Sequence, residues 1–229
     1  MSLVLIRHGK SVWNLENKFT GWYDIELAPE GMIEAEKAAS FLADNEFKPE
    51  VCFTSYLQRA NKTLEIILNH MPVKMVKDIE IIKSWKLNER HYGALQGLNK
   101  DDTKNKYGEQ KFLEWRRSYN IPPPILDEDS IMNPKKDPIY ENENTDELPL
   151  TECLKDTYDR VVPYWTSEIK PLILEKDVMI AAHGNSLRAL CKFLFDIEDD
   201  DIVNLEIPTG NPLLINFCLL YTSPSPRDS

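Results

Sequence analysis

Apolar residues in this chain fall in short unbroken runs, separated by stretches whose apolar positions recur at helical spacing. Leu3-Val4-Leu5-Ile6 is too short for a helix and reads as a strand buried on both faces. Val51 to Thr54 and Asp177 to Ala182 repeat that signature. A further strand falls between Val73 and Ile82, and a last one around Leu213 to Phe217. A helix runs from Pro29, a residue tolerated in a first turn, to about Leu42, with an apolar stripe of Ile33, Ala38, Phe41 and Leu42. Ser55 is placed to cap a helix carrying Leu57, Ala60, Leu64 and Ile67. A helix from about Thr151 meets Pro163, which should kink or break it, and another covers Ser186 to Phe195. The β-α-β-α-β order predicts an α/β fold with a doubly wound, mostly parallel sheet. Trp13 to Glu26 and Trp85 to Leu98 read as loops, and Lys100 to Arg117 as charged helix. Ile121 to Pro149, proline-rich and acidic, reads as irregular: a functional lid or a mobile segment.

Composition narrows the class. At 229 residues, 42% hydrophobic and 28% charged, the chain is one large α/β domain or two small ones with an ample core. No apolar run approaches the roughly 20 residues of a membrane span. The N-terminus enters a strand at once, so no export signal is expected. Cys52, Cys153, Cys191 and Cys218 form no Cys-x-x-Cys pair and read as reduced thiols of a cytoplasmic protein. A formal charge of −11 argues against nucleic acid or an anionic membrane as partner.

Two of the buried strands end in histidine-glycine: Arg7-His8-Gly9 and His183-Gly184-Asn185. Ligands of an open parallel sheet bind outside the carboxyl ends of its strands, so both imidazoles belong on one edge and can face one phosphate. Neutral imidazole keeps a lone pair for attack on phosphorus. Arg7 supplies a cationic fork for phosphate oxygens and disfavours ring protonation. Gly9 would let the chain turn and expose its amides, and Asn185 and Ser186 open a helix whose positive end points the same way. Either histidine alone would read as a surface, packed or capping residue. The pair together reads as catalytic. In so acidic a chain, the cations of a phosphate site must be gathered locally, among Arg7, Arg59, Arg90, Lys100 and the Arg116-Arg117 pair.

The fuller pattern resembles the histidine phosphatase superfamily, and within it the cofactor-dependent phosphoglycerate mutases. Its carriers are Leu-Ile-Arg-His-Gly-Lys-Ser-Val-Trp-Asn (5–14), Phe-Thr-Gly-Trp-Tyr-Asp (19–24) and Thr-Ser-Tyr-Leu-Gln-Arg-Ala (54–60). The run from Ser84 to Lys100, Trp-Arg-Arg (115–117) and Ala-Ala-His-Gly-Asn-Ser-Leu-Arg-Ala (181–189) complete it. The resemblance implies a three-layer fold, a mostly parallel sheet flanked by helices with one antiparallel edge strand. It implies interconversion of 2- and 3-phosphoglycerate through a phosphohistidine, primed by 2,3-bisphosphoglycerate and needing no metal. His8 would be the nucleophile, Glu89 the proton donor and acceptor, and Arg7, Arg59 and His183 the clamp on the phosphoryl oxygens. Asn14, Thr20, Gly21, Arg90, Tyr92, Lys100, Arg116, Arg117, Gly184 and Asn185 match substrate-binding positions. His70 and His91 are given no role and read as structural or exposed residues. A homodimer or homotetramer is expected, in one domain over residues 1–217 with a lid-like insertion at about 98–150.

Two departures stand out. Lys10 occupies a position that is acidic or amide-bearing in the family, which either adds a cation beside the nucleophile or points to solvent. Residues 218–229 read as an adapter-derived tail in place of the family's basic, glycine-containing one. Loss of that cover should admit water to the phosphohistidine and raise the ratio of phosphatase to mutase activity. Bisphosphoglycerate synthesis, broad phosphatase action and a catalytically silent scaffold are the competing readings. Ser11 with Thr20-Gly21 weighs against the first, the Glu89 run and paired arginines against the second, and the intact catalytic set against the third. The first two remain as minor activities.

Overall fold

The computed structural model describes residues 1–217, so the expected tail lies outside the described residues. Its elements are β1 (Ser2–Arg7), α1 (Val12–Leu15), α2 (Pro29–Asp44), β2 (Val51–Thr54), α3 (Gln58–His70) and β3 (Glu80–Lys83). Then follow α4 (Lys100–Tyr107), α5 (Glu109–Arg117), α6 (Leu154–Tyr164), α7 (Lys170–Ile173), β4 (Val178–Ala182), α8 (Gly184–Leu194) and β5 (Leu213–Asn216). The sheet order is β3-β2-β4-β1-β5, parallel except for β5, which runs antiparallel to β1 at the edge.

Strand periodicity divides the apolar runs between two layers. Leu3, Leu5, Phe53, Val178 and Ile180 face Leu154, Val161, Leu187 and Leu190 of α6 and α8. Val4, Ile6, Cys52, Met179 and Ala181 face Ala35, Ala38, Leu42, Leu64 and Ile67 of α2 and α3. Both faces of β1, β2 and β4 are therefore covered, which is why these strands read as continuous apolar runs.

The structure departs from the sequence reading at several elements. Ser11 caps the single turn α1, within the expected first loop; its side chain accepts from the Asn14 amide and the Asn14 side chain accepts from the Ser11 amide. The buried face of α2 is Gly31, Ala35, Ala38, Ala39 and Leu42, while Ile33 and Phe41 are exposed. Ser55 lies two residues before the N-cap of α3, which is Leu57. Residues 73–75 form a 3₁₀ turn and the third strand begins only at Glu80. Gly108, at φ +83°, separates α4 from α5. Pro163 lies in the last turn of α6, followed by a π-type turn over Trp165–Ile169. Residues 121–149 hold only 3₁₀ turns, yet Tyr140 and Leu148 are buried against Trp22 and Trp85. Glu143 accepts from the Tyr56 hydroxyl and from the Trp85 indole, tying this segment to the sheet's carboxyl edge.

Candidate active site

β1 and β4 run side by side and release their chains at the same edge. The His8 amide donates to the Ala182 carbonyl at 2.9 Å, and the His8 and His183 ring centres lie 5.0 Å apart. The two imidazoles predicted from strand ends thus meet, and both are buried.

His8 Nδ1 lies 2.7 Å from the Gly9 carbonyl. A carbonyl only accepts, so Nδ1 carries the proton and Nε2 keeps its lone pair. Burial, reinforced by the Arg59 and Arg7 guanidiniums, holds the ring's pKa well below 6.5 and keeps it neutral. His183 is held down the same way, by burial first and then Arg59, His8 and Arg7. Its Nε2 lies 2.7 Å from Ser55 Oγ, which also accepts the Leu57 amide at 3.1 Å. Nδ1 of His183 is buried and, among the described residues, takes no protein partner.

Arg59 is 1% exposed and donates to the carbonyls of Gly21 (2.7 Å) and Tyr23 (3.0 Å). Burial lowers its pKa to about 10, against the pull of Glu89 and Asp24, so it stays charged at neutral pH. Arg7 donates to the Ile207 carbonyl at 2.8 Å. Both guanidiniums are fixed by backbone oxygens that cannot neutralise them, which preorganises positive charge beside Nε2 of His8.

Glu89 is buried with one oxygen held and one free. Oε1 accepts the amides of Arg90 (2.8 Å) and Asn185 (3.1 Å), while Oε2 takes no protein donor among the described residues. The first turn of α8 therefore holds the Glu89 carboxylate with its Asn185 amide, where sequence reasoning aimed it at phosphate. Asn185 Nδ2 donates to the Tyr92 hydroxyl at 3.3 Å, and its Oδ1 accepts from Arg188 at 2.9 Å. Burial is the largest influence on the Tyr92 pKa and would raise it, but the charge of the Arg90 guanidinium, 4.5 Å from the ring centre, together with hydrogen bonds from Arg90 and Asn185, makes the net shift downward.

Two polar cavities open here. One, of about 100 Å³, is lined by Arg7, His8, Asn14, Lys18, Phe19, Thr20, Gly21, Arg59, Glu89, Tyr92, Lys100 and Arg116. Its five cations face the single carboxylate of Glu89. Burial lowers the Lys100 pKa, as do Arg116 and Arg7. The second, of about 170 Å³, shares Arg7, Glu89, Tyr92 and Arg116 and adds Arg117, Gly184, Asn185 and Arg188.

Some predicted residues are placed otherwise than the sequence suggested. Gly9 has no left-handed φ, and its amide donates to Thr63 Oγ1 (3.0 Å) rather than toward the site. Its need is space: a Cβ there would lie 2.1 Å from the Gly31 carbonyl oxygen. Arg90 lines neither cavity; it is buried behind Tyr92 and donates to the Arg116 carbonyl at 3.0 Å. Arg117 is ion-paired with Glu206. Lys10 lines neither cavity, and its amide donates to Glu34. His91 is buried with Nδ1 accepting the Gly93 amide, and His70 is paired with the Ile66 carbonyl on α3. Sequence reasoning missed Lys18, Arg188 and the bond of Ser55 to His183. Arg188 lay within the 181–189 motif and Lys18 just before the 19–24 motif, both as unremarked charges, and the third joins residues 128 apart. No cluster of three or more His, Cys, Asp or Glu among the described residues is arranged to hold a metal ion.

Residues 3–133 match the family model of the histidine phosphatase superfamily, branch 1. The chain is 53% identical over 213 residues to the 2,3-bisphosphoglycerate-dependent phosphoglycerate mutase of Borreliella burgdorferi (strain ZS7), covering 93% of this chain and 85% of that one. It is 54% identical, over the same shares, to the enzyme of that name in Borreliella afzelii (strain PKo). Among solved structures, Bacillus stearothermophilus YhfR superposes with a TM-score of 0.69 at 22% identity, over 94% of this chain and 90% of that one. A mycobacterial glucosyl-3-phosphoglycerate phosphatase gives 0.68 at 20% identity, over 94% and 92%. At such identities these two speak for the fold alone.

Proposed function

This chain belongs to the histidine phosphatase superfamily, and on that footing we propose that it interconverts 2- and 3-phosphoglycerate through a phosphohistidine on His8. The observation that carries the reading is the neutral His8 ring with Nε2 free, set 5.0 Å from His183 in a cavity of guanidiniums. The identity to the Borreliella mutases over nearly the whole chain supports the choice of substrate.

Nε2 of His8 accepts the phosphoryl group. Arg7, Arg59 and His183 surround the position its equatorial oxygens take, where charge is spread in the transition state. Glu89 Oε2 protonates the leaving glycerate oxygen when His8 is phosphorylated, and takes the proton back when a hydroxyl attacks the phosphohistidine. Asn14, Thr20, Gly21, Tyr92, Lys100, Arg116, Arg117, Gly184 and Asn185 hold the rest of the substrate, with Arg90 acting from behind Tyr92. The cationic wall fits a doubly phosphorylated acid, which His8, Arg59, Lys100 and Arg116 would hold. 2,3-Bisphosphoglycerate, when bound, supplies the priming phosphoryl group, and no metal is required. A homodimer or homotetramer in the cytoplasm, built from a single domain with residues 98–150 as a lid-like insertion, completes the reading. It rests on resemblance, and sedimentation tests its assembly.

A coupled assay of 3-phosphoglycerate turnover tests the activity. Added 2,3-bisphosphoglycerate should accelerate it, a chelator should leave it unchanged, and the wild type should carry an acid-labile phosphate that His8→Ala lacks. Turnover in His8→Ala, or loss of activity to the chelator, defeats the reading.

A further inference from the structure

Glu89 lies on an irregular stretch after β3, so neither helix nor sheet hydrogen bonds fix its main chain. Its carboxylate takes the Arg90 and Asn185 amides and its carbonyl accepts the Trp22 indole N–H, but the main chain on either side needs anchors of its own to keep the carboxylate in register with His8. Arg160 of α6 and Glu152, just before that helix, are both buried, and neither belongs to a motif singled out in the sequence. Arg160 Nε donates to Glu152 Oε1 at 2.6 Å and one terminal nitrogen to Oε2 at 3.0 Å. The same guanidinium donates to the carbonyls of Lys86 (2.7 Å), Asn88 (3.0 Å) and Glu89 itself (3.0 Å). Glu152 Oε2 accepts the His91 amide at 2.7 Å, and the Glu152 amide donates to the His91 carbonyl at 2.9 Å.

We infer that Arg160 and Glu152 are positioning residues that clasp the main chain on both sides of Glu89 and so fix the proton-transfer carboxylate. A buried ion pair is by itself weak evidence for a stabilising role, because apolar replacements often serve as well. This pair does what apolar residues cannot. The planar fork brackets three carbonyls between Lys86 and Glu89, and its carboxylate partner takes the amide two residues after Glu89. Lysine keeps the charge but cannot span those carbonyls. The inference rests on the reading of Glu89 as proton donor and acceptor.

Alkali-quenched single turnovers with labelled 2,3-bisphosphoglycerate, in which the acid-labile phosphohistidine survives, give both the fraction of His8 that can be phosphorylated and the rate of its phosphorylation. In Arg160→Lys and in Glu152→Gln, the fraction should stay near the wild-type value while the rate per competent site falls about 10- to 100-fold, as expected for a misplaced catalytic group. In a Glu89→Gln background, either substitution should cost less than about two-fold, because a clasp has nothing to position once the proton donor is gone. A wild-type rate per competent site in both variants, or an equal loss in the Glu89→Gln background, overturns the inference. Should Arg160→Lys fail to fold, Glu152→Gln, which keeps volume and shape, decides the matter. A wild type without phosphoglycerate turnover overturns the underlying reading, and the clasp's role with it.

Discussion

A buried histidine kept neutral adds an acid sensitivity to the fold along with its chemistry. His8, His91 and His183 all have pKa values lowered by burial from 6.5, His91 to about 3. His91 has an added reason to refuse a proton, since its Nδ1 accepts the Gly93 amide and Arg160 stands nearby. The unfolded chain protonates each ring near pH 6.5, whereas the folded chain does so only far below. Stability is therefore undiminished above about pH 6.5 and falls from there toward pH 3, by up to ~1.4 kcal/mol per pH unit per histidine. Denaturant midpoints at pH 7, 6 and 5 should decline, and in His91→Gln the decline should be shallower by about one histidine's share. An identical slope in the variant would contradict this account. The same neutrality should keep His8 competent as a nucleophile into mildly acid solution, with activity failing only as the fold does.

Elements show what a one-dimensional pattern can and cannot carry. The inner strands β1, β2 and β4 were legible because both of their faces are buried, so residue type alone marks them. His8 and His183 were legible because strand ends of a parallel sheet share an edge. The face of α2 was misread, because Ile33 and Phe41 look more like core than Gly31 and the alanines that actually meet the sheet. Close approach, not side-chain bulk, decides that face: a Cβ on Gly31 would lie 2.1 Å from the Lys10 carbonyl oxygen, which is backbone and cannot swing aside. The clasp of Arg160 on Lys86, Asn88 and Glu89 spans more than 70 residues and follows no period, so nothing local announced it. Gly31→Ala puts the two effects in competition. Alanine gains about 1 kcal/mol of helix propensity, while overpacking against fixed backbone costs about 1–3 kcal/mol. We expect net destabilisation of up to about 2 kcal/mol by urea unfolding. His8 phosphorylation should slow as well, because Gly9 and Lys10 carry the carbonyl that orients the His8 ring. A variant that is stabilised and fully active would show that the loop yields freely.

At the scale of the whole molecule, an acidic protein is asked to collect a polyanionic substrate, and distance settles how. Eleven net negative charges spread about 20 Å from the site would oppose a unit negative charge by about 2 kcal/mol in unscreened water. At physiological ionic strength, with a Debye length of ~8 Å, that falls to roughly 0.2 kcal/mol. A guanidinium in contact with a phosphate or carboxylate contributes about 1.5–3 kcal/mol and is far less screened. On the proposed reading, the cations of the smaller cavity win once the substrate is inside, and the net charge matters only on the approach. Two salt responses follow. Lowering ionic strength from about 0.15 M to about 0.01 M lengthens the Debye length to ~30 Å and restores about 1 kcal/mol of repulsion per unit charge. The kcat/KM for phosphoglycerate should therefore fall several-fold on dilution of salt, contrary to the usual rise for an anionic substrate and a cationic site. Arg116→Gln, in contrast, should lose roughly 10- to 150-fold at both ionic strengths, because its contact is short-ranged. A kcat/KM that climbs as salt is removed would mean that the field of the cleft, rather than that of the whole surface, governs the encounter.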